Sequence, residues 1–110
     1  MDGNLLRQQY DDLKRRIDAQ NVEQKSTFLN YIKKTFGPVN EGYELASSAD
    51  RGRILRELRD VSLQLWTAGN RPQALALGII LLDIESQFTP GEDAAAVKAA
   101  TAALIKEGLA

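Results

Sequence analysis

LWTAGNRPQALALGIILLDIE, residues 65–85, decides the fold. It passes from Trp66 through Gly69-Asn70-Arg71-Pro72 into nine consecutive apolar or glycine residues, Ala74 to Leu82, and then meets Asp83 and Glu85. Glycine accommodates the left-handed backbone that closes a helix, and proline is tolerated in the first turn of the next. The stretch therefore reads as the end of one helix, a tight turn and a second helix that is apolar nearly all round. A helix of that kind is buried on several sides. Its apolar run falls well short of the roughly 18–20 residues that span a bilayer. It is expected at the centre of a core, not in a membrane.

Outward from this centre the pattern stays helical. Leu6, Tyr10, Leu13 and Ile17 recur at spacings of four, three and four, one stripe of a helix from about Asn4 to Gln20. Asp11 and Asp12 precede Arg15 and Arg16 by four residues, the favourable order on a helix surface. A second helix, capped by Asn21 or Ser26, carries Phe28, Leu29, Ile32 and Phe36 inward and is expected to end at Gly37-Pro38. Whether it continues the first is left open by the pattern. Residues 37–47 read as a loop laying Val39, Tyr43 and Leu45 over the core. Ser47 or Ser48 caps a third helix whose inner face is Ile54, Leu58, Val61 and Leu65. Thr89 and Pro90 read as N-cap and first residue of a last helix, about 90–107, with Val97, Ala100, Thr101 and Leu104 inward and Gly108 as its stop. The expected fold is a single all-α domain, residues 1–110, built as a compact bundle of four to five helices.

Composition bounds the chemistry. Apolar residues make up 44% and charged residues 26% of 110, the balance of a globular chain, and the net charge of −1 gives no global field toward nucleic acid or anionic lipid. There is no cysteine and no histidine. That removes thiolate nucleophiles, disulfides, the commonest zinc ligands and the commonest general base. Ser26, Ser47, Ser48, Ser62 and Ser86 lack the histidine of a serine triad. No phosphate loop, dinucleotide fingerprint or calcium loop occurs. Neither cofactor nor metal is expected, and an enzyme is not. The N-terminus lacks the basic and apolar regions of a signal peptide, and a cytoplasmic location is expected.

Residues 55–86 resemble a single tetratricopeptide helix pair. Gly69 followed by Ala74 looks like that family's turn and small residue, and its first-helix pattern falls on Leu58, Val61, Ser62 and Leu65, with Ser62 as the small packing residue. Leu58 stands where the family prefers tryptophan, Gly78 where it prefers a larger apolar residue and Leu81 where it prefers alanine. No second copy is visible, and repeat arrays need about three. The resemblance implies a packed helical hairpin near 55–86.

Candidate sites are few. The stripe Leu6, Tyr10, Leu13 and Ile17 suits either packing within the chain or pairing with a partner helix, including a homodimer through the N-terminal helix. Phe36 and Tyr43 are further candidates for a protein-binding surface. Arg53 and Arg56, one turn apart, suit a carboxylate or phosphate, although Asp50, Glu57 and Asp60 are interleaved. Asp83 with Glu85, and Glu41 with Glu44, are the paired carboxylates. Asp83 is expected to mark where solvent begins on its helix. The expected function is a small non-enzymatic protein–protein interaction module: an adaptor, inhibitor or chaperone-like cofactor, bacterial or phage, binding a protein partner through a helical face. The alternative is a nucleic-acid-binding bundle using the arginines of the third helix.

Overall fold

The computed structural model describes residues 2–110 and is all-helical, with five helices and no strand among the described residues. They are α1 (Gly3–Asp18), α2 (Val22–Leu45), α3 (Ser48–Thr67), α4 (Arg71–Gln87) and α5 (Glu92–Leu109). α4 is the central helix. It packs on each of the other four, while α2 and α1 also pack on α5. Ala74 to Leu77, Ile79 to Leu82 and Ile84 are all buried, as the apolar run demands. Each large side chain buried there contributes about 1.5–3 kcal/mol. No helix among the described residues is long and apolar enough to cross a membrane.

The helix boundaries follow local chemistry. Asp2 caps α1, its carboxylate accepting from the Leu5 amide at 3.0 Å. α1 and α2 are separate. Asn21 and Gln24 form a reciprocal capping box, each side chain accepting from the other's backbone N–H, at 2.8 and 2.9 Å. Ser47 caps α3. Gly69 takes φ +90° after it, and Pro72 lies in the first turn of α4. The turn GNRP is thus as its residues predict.

Several boundaries differ from expectation. α2 does not stop at Gly37-Pro38 but runs on to Leu45 with Pro38 inside it, so residues 37–45 are helix and not loop. The proline removes one backbone hydrogen bond. Burial offsets that loss, because Tyr43 joins Ile80 and Ile84 in the core with Phe36 and Val39 against them. Leu45 is exposed. The N-cap of α5 is Gly91, at φ +102°, while Thr89 donates back to the Glu85 carbonyl at 2.9 Å. Gly108 does not stop α5. It lies buried inside the last turn, against Ile32.

α3 differs most. None of its residues is fully buried, Val61 is 40% exposed, and its one extensive contact is with α4. Of the expected stripe Ile54, Leu58 and Leu65 are half-buried, and Ser62 stands inward in place of the exposed Val61. Ser62 donates to the Ala74 carbonyl at 3.0 Å, tying the α3–α4 hairpin at the small position.

Candidate functional site

α1 and α3 flank α4 without packing extensively on each other. Between them a groove follows the α4 surface along Arg71, Leu75, Gly78, Leu82 and Glu85, a four-three rhythm that keeps to one face of the helix. At 1.5 Å per residue it is about 21 Å long. Three clefts make it up, of about 280, 370 and 210 Å³. Leu13, Arg59 and Ser62 line both the first and the second. Arg16, Trp66 and Leu75 line both the second and the third.

Each wall has a physical cause. Leu13 reaches over Gly78, where a Cβ would stand 3.3 Å from its methyl carbon, so the glycine lets α1 sit close to α4. On the α3 side Leu63 is 65% exposed at the rim and Trp66 is half-buried. Arg59 of α3 pairs with the largely buried Glu85 of α4 across the floor. At the far end the guanidinium of Arg16, from α1, lies 4.9 Å from the Trp66 ring centre, and that of Arg71, from α4, lies 4.8 Å from it. Such contacts contribute about 0.5–1 kcal/mol each where exposed. Trp66 therefore joins three helices.

The residues singled out by sequence are divided by the fold. Leu6 and Ile17 are spent on the chain's own core, with Tyr10 and Leu13 half-buried beside them. A second copy pairing on the whole stripe would have to displace α1 from α4 and α5. Tyr43 is buried and Phe36 half-buried against it, so neither offers a free surface. Leu13 alone of these six lines the groove.

Arg53 is exposed but already engaged, at 3.1 Å to Glu57 and 3.3 Å to Asp50. These hydrogen bonds hold its guanidinium above its ordinary pKa. Arg56 has no ion-pair partner among the described residues and does not converge with Arg53 on a cleft. Arg51 has a different role. It donates to the Tyr43 and Glu44 carbonyls at 3.2 and 3.1 Å and stacks on the Tyr43 ring, closing the C-terminus of α2.

Asp83 is not at a solvent boundary. It is 2% exposed, and its carboxylate accepts from Lys98 at 2.8 Å, Thr101 at 3.1 Å and Gln87 at 3.3 Å. This fully satisfied carboxylate pins α4 to α5. Glu41 and Glu44 are exposed. Among the described residues no group of three or more carboxylates converges at metal-binding spacing.

A larger cleft, about 700 Å³, lies elsewhere, between the α1–α2 turn and the end of α5. Lys25 and Lys33 face Asp18 and Glu107 there, so no single chemistry converges on it. The chain matches no protein-family model, no curated protein and no solved structure.

The groove went unread in the sequence because its walls come from three helices. Gly78 inside an apolar run was the one signal for it, since a glycine in a helix interior costs about 1 kcal/mol and points to a close approach.

Proposed function

We propose that the protein is a small non-enzymatic interaction module that receives a segment of a protein partner in the groove between α1 and α3. The observation that carries this reading is the groove itself, floored by α4 and walled by Leu13 on one side and by the exposed Leu63 with Trp66 on the other. An exposed leucine at the rim of a mixed polar and apolar groove, with an aromatic residue beside it, is the composition of a protein-binding surface. The reading takes the partner to the groove rather than to the buried stripe of α1.

The test is capture from the native source with the tagged chain, washed at low and high salt, beside the variant Leu63→Glu. Leu63 is exposed, so this change should leave the fold intact. A stoichiometric protein that survives high salt with the parent and is lost with Leu63→Glu supports the reading. Retention of the same protein by Leu63→Glu would sink it. Nucleic acid that washes off with salt, and is lost on changing Arg53 and Arg56 to alanine, would move the function to the arginines of α3.

A further inference from the structure

Charge is uneven along the groove, because its carboxylates, Asp12 and Glu85, line only the cleft over Gly78. The cleft of about 210 Å³ at the Trp66 end has eight lining residues, including two arginines and no carboxylate. Arg71 has no ion-pair partner among the described residues. Arg16 reaches only Asp12, at 3.4 Å, and shares that carboxylate with Arg15, which meets its other oxygen at 2.9 Å. Both guanidiniums are held at Trp66, and stacking on a ring leaves their N–H groups free for an oxygen.

Two further features favour an anion. The first turn of α4 lines the cleft through Arg71, Pro72 and Leu75, and no side chain caps that helix. Its orphan N–H groups and positive dipole end are unopposed. Gln20 also lines the cleft, and its buried amide oxygen has no hydrogen-bond donor. Half a turn of the amide would put donors there instead. Pro72, Leu75 and the Trp66 ring supply apolar surface for an aliphatic stem.

We propose that this cleft binds the carboxylate of an acidic side chain on the partner segment that lies in the groove. The assignment rests on the groove being the partner's seat. It makes the partner a segment that presents an acidic residue at the Trp66 end. An oxyanion meets arginine here and no carboxylate, whereas a basic segment would meet Arg16 and Arg71 with like charge.

Trp66 is the only tryptophan, so its emission reports directly on the cleft. The experiment titrates the full chain with glutarate, with neutral glutaramide and with inorganic phosphate at constant ionic strength. The same titrations are run on Arg71→Gln, Arg16→Gln and, as a control, the outward-facing Arg15→Gln. Glutarate should give a saturable change and glutaramide none. Arg71→Gln and Arg16→Gln should each weaken glutarate about tenfold, the worth of one hydrogen bond to a charged group. Arg15→Gln should bind as the parent does.

No saturable response to glutarate overturns the site, as does an unchanged response in Arg71→Gln with the parent's circular dichroism. Phosphate binding more tightly than glutarate overturns the carboxylate assignment. If glutarate fails while capture still depends on Leu63, the acid-binding end falls and the groove stands. If glutarate binds but no partner is captured, the groove reading fails and the anion site remains without its proposed occupant.

Discussion

Glycine to alanine has opposite expected signs at two positions, and the surroundings decide which. At Gly108 a Cβ would stand 2.7 Å from Ile32 Cγ2 and 3.2 Å from the Leu29 carbonyl. Ile32 is fully buried and cannot give way. Better helix propensity gains about 1 kcal/mol. Overpacking costs about 1–3 kcal/mol. We expect Gly108→Ala to lose about 1 kcal/mol net in urea unfolding. Gly42 is also helical, but nothing lies within 4 Å of its added Cβ. Gly42→Ala should therefore gain about 1 kcal/mol by the propensity term alone. Asp83→Asn keeps the acceptor for Thr101 but removes the charge that Lys98 meets. Lys98 is 39% exposed and can turn to water, so the expected loss is about 1–2 kcal/mol, below that of a sealed pair. Neither role was legible in the sequence. A glycine near a helix end looks like a stop, and an aspartate after an apolar run looks like the edge of solvent. Only the crossing of α5 over α2 and α4 gives each its partner.

At the scale of elements, α2 shows where local rules yield to packing. Gly37-Pro38 is a strong stop in isolation, yet the helix continues because Tyr43, Phe36 and Val39 reach Ile80 and Ile84. Pro38 itself is exposed, so its ring contributes little to that packing. Pro38→Ala restores a donor to the helix and removes a clash, and an interior proline costs about 3 kcal/mol. Part of the gain is offset because alanine frees the unfolded chain. We expect a net rise of about 1–2 kcal/mol in urea unfolding; an unchanged or lowered midpoint would mean the proline sets the direction in which Tyr43 is aimed. The helical class, the GNRP turn, a cap at Ser47 or Ser48 and the centrality of α4 are legible in the sequence. They depend on spacing and capping within one segment. The inner face of α3 is legible at Ile54, Leu58 and Leu65 but not at Val61, because the stripe does not say which neighbour exists to cover each position.

Taken whole, the molecule has a well-buried centre and one lightly held rail. α1, α2, α4 and α5 share the core clusters around Ile79, Leu82 and Val97. α3 has no fully buried residue. It is held by its face on α4, by Ser62 on the Ala74 carbonyl, by the Arg59–Glu85 pair and by the contacts of the Trp66 ring with Arg16 and Arg71. Elements with few buried contacts open below the global unfolding energy. α3 amides should therefore exchange with solvent through a partial opening, faster than those of α4, which should exchange only on global unfolding. The same asymmetry has an optical signature. Trp66 lies on α3, whereas far-ultraviolet circular dichroism reports all five helices. In urea the Trp66 transition should come at lower denaturant than the dichroism transition, because α3 leaves first and the other four helices remain. Coincident transitions, with α3 as protected as α4, would show one cooperative unit. Since α3 is also a wall of the groove, a segment bound there bridges α1 and α3 and adds contacts that α3 lacks alone. Occupancy should bring the two transitions together, and an occupant that leaves their separation unchanged does not sit between the two walls.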